Sequence, residues 1–160
     1  MKKLLLILTG VISITSLKAQ SDNPESGVTT KSVYAELLGS GLAFSANFDS
    51  RFNGTRGLGY RMGLGVVPLK GNTALTIPFG LNAIFGKKSS FFEAEFTATV
   101  LTSSSGKFNG KNASAVFIYP HVGYRYTRPA KSFIGRVCIG PMIYGGEIIP
   151  YGGLSFGYTL

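Results

Sequence analysis

Phe92-Glu93-Ala94-Glu95-Phe96-Thr97-Ala98-Thr99-Val100 alternates without a break, with Phe92, Ala94, Phe96, Ala98 and Val100 apolar and the four residues between them polar. Successive side chains of a β-strand point to opposite faces, so a period of two gives one apolar and one polar face. A helix, whose side chains repeat every 3.6 residues, would scatter both sets around its circumference. The run is also long. Strands of soluble proteins average about five or six residues, whereas a tilted strand crossing a bilayer needs about 9 to 11.

The same texture extends in both directions. Leu42, Phe44, Ala46, Phe48 and Phe52 alternate with Ser45, Asn47, Asp49 and Arg51; Leu58, Tyr60, Met62, Leu64 and Val66 with Gly59, Arg61, Gly63 and Gly65; and Leu154, Phe156, Tyr158 and Leu160 with Gly153, Ser155, Gly157 and Thr159. Turn-forming clusters divide the chain into eight strands, at 32–39, 41–52, 58–68, 73–85, 90–102, 114–127, 132–143 and 148–160. The fold expected is all-β, an eight-stranded antiparallel up-and-down transmembrane β-barrel over 32–160. Pro78, Pro120 and Pro141 fall inside these strands and need bulges or strand ends.

Composition supports a surface turned away from water. Hydrophobic residues make up 44% of the chain and charged ones only 14%, against about 25% charged in an average globular chain. After the N-terminus no uninterrupted apolar run approaches the 18 or so residues of a spanning helix. At the N-terminus, Lys2 and Lys3 precede the mostly apolar Leu4 to Leu17, and Leu17-Lys18-Ala19-Gln20 supplies a cleavage site after Ala19. Residues 1–19 are therefore expected to be a signal peptide directing export, and the polar 20–31 a flexible tail. Removing Lys2, Lys3 and Lys18 leaves 13 basic against 7 acidic residues, a net charge of +6 instead of +9. These cations are scattered and several fall at turns, as in Lys87-Lys88 and Arg128-Pro129-Ala130-Lys131. That distribution suits solvated turns beside anionic headgroups and not a nucleic-acid surface.

With a periplasmic N-terminus, the connections at 53–57, 86–89 and 128–131 lie on the inner side. The longest polar stretch, Ser103 to Ser114, becomes an outward loop, available to a surface partner. Phe52, Tyr60, Phe85, Phe91, Phe92, Tyr124, Tyr126, Phe133 and Tyr158 gather beside the inner connections, the arrangement of an interfacial aromatic girdle.

Four acids and four bases fall on the faces assigned to the lumen: Glu36, Asp49, Glu93 and Glu95 with Arg51, Arg61, Arg125 and Arg136. Eight strands leave an interior just wide enough to be filled by side chains, so charges there must pair. We read these eight as a structural ion-pair network and not as catalytic carboxylates. His121 is the one histidine, and no serine stands beside it on its strand, so a catalytic His–Ser pair is not supported. The one cysteine, Cys138, permits neither an intrachain disulfide nor a cysteine zinc site, and no cofactor or metal is expected. Gly57-Leu58-Gly59 and Gly63-Leu64-Gly65 lack the helix and Lys of a phosphate loop; their expected role is to leave room for inward Arg, Tyr and Phe side chains.

Ser32-Val33-Tyr34-Ala35-Glu36-Leu37-Leu38-Gly39, Ser45-Ala46-Asn47-Phe48-Asp49-Ser50-Arg51-Phe52, Ile77-Pro78-Phe79-Gly80-Leu81-Asn82 leading through Gly86-Lys87 to Phe92-Glu93, and Pro150 to Leu160 together give the chain a resemblance. It resembles the small outer-membrane β-barrel proteins common in Bacteroidota. The resemblance implies fold and location, not chemistry. The final strand is also similar to the C-terminal signal read by the barrel-insertion machinery, departing from it in Leu160, where Phe is usual. A non-enzymatic outer-membrane protein, an anchor or surface-interaction module with its lumen closed by side chains, is the function expected. The alternatives are a lipocalin-like barrel holding a lipid or small ligand, with its apolar face inward, and a lipid-modifying enzyme using His121.

Overall fold

The structure, a computed structural model, describes residues 30–69, 72–87, 89–108, 111–128 and 133–160. The expected signal peptide at 1–19 and nearly all of the tail at 20–31 lie outside the described residues. Eight strands follow one another: β1 (Lys31–Leu38), β2 (Phe44–Arg51), β3 (Gly57–Leu69), β4 (Asn72–Lys87), β5 (Ser90–Phe108), β6 (Lys111–Arg128), β7 (Phe133–Tyr144) and β8 (Glu147–Thr159). Each pairs antiparallel with its neighbours in sequence, and β8 pairs with β1, where Ala35 faces Phe156, to close the barrel. Closure leaves no sheet edge, the condition under which strands can cross hydrocarbon.

The alternation sorts side chains as expected. Phe44, Leu64, Phe96 and Phe156 stand on the outer face, Leu64 and Phe96 at 69% and 57% exposure, while Arg51, Arg61, Tyr119 and Arg125 are buried inside. Along β4 the outward apolar run extends from Leu75 through Ile77, Phe79 and Leu81 to Phe85. At about 3.3 Å per residue and a tilt of about 40°, such a run rises about 25 Å, the height of the apolar band of an outer-membrane barrel.

Two sequence expectations are corrected. Residues 103–108 and 111–114, expected in a loop, are strand: β5 continues to Phe108 and β6 starts at Lys111, with Lys107 opposite Asn112 beyond a register shift after Thr102. A polar run is compatible with pairing because backbone bonds, not apolar burial, hold a projecting hairpin together. Nor do the first two strands meet at Ser40. β1 stops at Leu38, β2 starts at Phe44, and Leu42, expected on the outer face, lies in the connection with φ 72°.

That connection turns into the barrel. Gly39, Ser40 and Gly41 form one buried 3-10 turn. Thr99 donates to the Ser40 carbonyl at 2.7 Å, Thr76 to the Gly41 carbonyl at 3.0 Å, and the Tyr151 hydroxyl to the Leu42 carbonyl. Leu42 packs with Val67, Leu69 and Met142 against the buried Ala74, Leu101, Ala115 and Phe117. The lumen thus has two layers. Ion pairs fill the half nearer the chain's entry at Lys31, and an apolar cluster capped by the turned-in connection fills the far half.

Candidate functional site

The inward faces of six strands bring the eight charged residues together. Glu36 comes from β1, Asp49 and Arg51 from β2, Arg61 from β3, Glu93 and Glu95 from β5, Arg125 from β6 and Arg136 from β7. All eight are buried, Arg61 completely. Arg51 meets Asp49 at 2.7 Å, and Arg125 meets Asp49 at 3.3 Å and Glu93 at 2.7 Å. Arg61 meets Glu36 at 2.8 Å and Glu95 at 3.0 Å. Arg136 joins the two groups, its Nε 2.9 Å from Glu93 and its Nη2 2.9 Å from Glu95. Every acid contacts at least one guanidinium and every guanidinium at least one acid, so the charge in the lumen is balanced locally.

The geometry depends on polar neighbours that charge counting does not reveal. Asn82 of β4 accepts from Arg51 and donates to Asp49 at 2.5 Å and to Glu93 at 3.2 Å. Asn47 accepts from Arg61 at 2.7 Å, and Thr97 donates to Glu95 at 2.7 Å. Ser40 Oγ, on the turned-in connection, accepts from Arg61 at 3.0 Å. Tyr34 lies under two guanidinium groups, with Arg136 4.5 Å and Arg61 5.4 Å from its ring centre. Alternation marks Tyr34, Asn47, Asn82 and Thr97 as inward, but not which ion each one braces. Glycine makes the room: a Cβ at Gly59 would lie 2.3 Å from Arg51 Cζ, and one at Gly63 2.2 Å from Asn47 Oδ1.

His121 is buried at the edge of this network. Its Nδ1 is 3.1 Å from the Tyr119 carbonyl, its ring stacks on Tyr119 at 4.3 Å, and its Nε2 is 3.5 Å from Glu95 Oε2. No hydroxyl nucleophile stands among these contacts. The Glu93 carboxylate accepts from Asn82, Arg125 and Arg136, and that of Glu95 from Arg61, Thr97 and Arg136, so both are held by fixed donors. Cys138 is buried, with its Sγ 3.8 Å from the Tyr119 hydroxyl. Among the described residues, no group of three or more His, Cys, Asp or Glu is placed to hold a metal ion.

No protein-family model matches the chain, and no curated protein does. A solved structure does. The chain is similar to the N-terminal β-barrel domain of Pseudomonas aeruginosa OprF, with a TM-score of 0.60 over 82% of this chain and 96% of that one. The two sequences are 7% identical, so the likeness is one of fold.

Proposed function

We propose that the protein is a non-enzymatic barrel of the bacterial outer membrane, closed to solutes, that anchors its far-end hairpins at the cell surface for contact with partners. The observation that carries this reading is the inside-out distribution of polarity. Large apolar side chains cover the outer wall, while Glu36, Asp49, Arg51, Arg61, Glu93, Glu95, Arg125 and Arg136 are buried in the lumen. In water such a wall would be an apolar patch far beyond the few hundred Å² that soluble monomers tolerate. In hydrocarbon it is the favoured surface. A lipocalin-like barrel would place its apolar face around a cavity, the reverse of what is found.

Exposed Phe52, Phe85, Phe92, Tyr124, Tyr126 and Tyr158 ring the entry end, beside the exposed Lys31 and Arg56. Aromatic rings favour the headgroup level and cations favour anionic headgroups, so both suit the periplasmic boundary. Outward Leu154, Phe156 and Tyr158 on β8 suit recognition by the barrel-insertion machinery. At the opposite end Tyr144 to Pro150 are exposed on both faces, so the β7–β8 hairpin stands clear of the wall. With the β5–β6 hairpin at 103–114 it is the surface we assign to partners.

Cell fractionation combined with heat-modifiability on a gel tests this reading. The folded chain is expected in the outer-membrane fraction, migrating faster unboiled than boiled. Recovery in the soluble periplasmic fraction would overturn it.

A further inference from the structure

The barrel wall is interrupted where two prolines meet. Between β6 and β7, Ile118 faces Ile143 and Val122 faces Ile139, but the intervening pairs are missing. Continuing the register sets Tyr119 against Met142, Pro120 against Pro141, and His121 against Gly140. A narrow antiparallel pair exchanges two N–H···O bonds, and proline has no N–H to give. Two prolines face to face remove both bonds, which accounts for the loss of pairing on either side of them. On their other flanks both are held, Pro120 opposite Phe96 and Pro141 opposite Pro150. The interruption between β3 and β4 is different: there Pro78 faces Gly63, which keeps its own N–H.

The two backbones nonetheless lie close at this seam. A Cβ on Gly140 would fall 2.2 Å from the Pro120 carbonyl oxygen, so only glycine lets the strands touch there. Outside, the seam lies in an apolar hollow of about 780 Å³ lined by Leu58, Leu81, Phe96, Val122, Ile139 and Pro141. Inside, it is flanked toward the far end by Phe117 and Met142 of the apolar cluster, and toward the entry end by His121 and Cys138. A hydrocarbon-sized hollow and a wall without its ladder therefore lie on one line, and behind them buried Tyr119, stacked on His121, borders the apolar cluster at Phe117 and Met142.

We propose that the β6–β7 seam is a lateral portal for the hydrocarbon chain of a membrane lipid, which seats in the hollow and passes between Pro120 and Pro141 toward Phe117 and Met142. The inference rests on the membrane reading above, since hydrocarbon is then the medium that fills the hollow. Lipid is favoured over a protein partner because the hollow lies at mid-height in the apolar band, between Phe96 and Ile139, away from either rim. Opening needs no other backbone bond to break at that level. The β3–β4 interruption also borders an apolar hollow, lined by Met62, Leu64 and Ile77, but one proline stands there instead of two, and Gly63 opposite it keeps its N–H.

Cys138, the one thiol of the chain, reports on passage. The full chain is reconstituted in phosphatidylcholine vesicles and treated with a long-chain alkyl maleimide or with a charged, membrane-impermeant one. P120A/P141A restores both N–H donors. Labelling by the alkyl maleimide is expected to fall about tenfold or more in the double variant, the effect of two restored hydrogen bonds on a local opening, with labelling by the charged reagent unchanged. No fall, or an equal fall with both reagents, would overturn the portal. Should the variant not fold, hydrogen exchange in the unaltered chain decides. The Val122 and Ile139 amides are expected to exchange faster than those of Leu81 and Phe96, and equal protection overturns the proposal. Heat-modifiability of the same vesicle sample separates the two readings: a contrast that fails in a heat-modifiable sample removes the portal and leaves the membrane reading standing.

Discussion

Arg136 touches two acids that belong to different ends of the ion network, Glu93 and Glu95, each at 2.9 Å. Its value is positional. Arg125 also serves Glu93 and Arg61 also serves Glu95, so each acid keeps one partner if Arg136 is lost, but the two groups are no longer tied. Breaking a buried pair by removing one partner costs about 3 to 5 kcal/mol where desolvation is complete. Arg61→Met, which takes from Glu36 its one guanidinium partner, is therefore expected to cost more than Arg136→Met, which strands no acid. Urea unfolding in lipid vesicles should show a lowered midpoint for both, in that order, and little change for a matched substitution at exposed Arg56. Equal midpoints for Arg61→Met and the unaltered chain would remove the paired-lumen account. The count of four acids and four bases on one set of faces was legible in the alternation. The choice of partner was not, because it depends on which strands face one another across the lumen.

The turned-in connection between β1 and β2 shows how an element acquires a shape that its sequence disfavours. Leu38 and Leu42 adopt positive φ, at 61° and 72°, a region that residues with a Cβ occupy at a cost of about 1 to 3 kcal/mol. What holds them is the set of bonds to the turn: Leu38 N–H to the Ala43 carbonyl at 2.6 Å, Gly41 N–H to Glu36 at 3.2 Å, and the donors from Thr76, Thr99 and Tyr151. Leu38 is about half exposed, so its side chain gives little burial in return. Leu38→Gly is expected to raise the unfolding midpoint, by relief of about 1 kcal/mol. Gly39→Val should lower it, because a Cβ there would lie 2.7 Å from Glu36 and the backbone has φ +62°. Urea titrations of the two variants, measured beside the unaltered chain, check the opposite signs. The Gly-Ser-Gly at 39–41 announced a turn, but turns ordinarily lie on the surface, and nothing local says that this one points inward. The cause is non-local: β1 and β2 end early, and Thr76, Thr97 and Thr99 of other strands offer the hydroxyls that satisfy the turn.

At the scale of the whole molecule, closure by eight strands makes a lumen that side chains can fill, and here ions, an apolar cluster and a piece of main chain fill it together. No continuous aqueous path is expected. Purified protein in planar bilayers should give no sustained single-channel steps, and the variant Ser40→Ala, which removes the side-chain bonds of the turn to Arg61 and Thr97 while keeping its backbone bonds to Thr76 and Thr99, should remain silent as well. Steady conductance from the unaltered protein would contradict the closed lumen.

The sequence by itself determined the number of strands, the faces of Phe92 to Val100 and of the other alternating runs, and the identity of the inward charges. These follow from the period of two, which is a property of neighbours along the chain. It also marked Pro78, Pro120 and Pro141 as misfits without saying which would matter. Only the tertiary structure decided that Pro120 meets Pro141 across a strand pair, that 103–108 and 111–114 continue as paired strands, and that Ser40 sits in the lumen beside Arg61. Each of these is set by register between strands or by contacts across a closed barrel. Such relations connect residues far apart in the chain, and local periodicity carries no information about them.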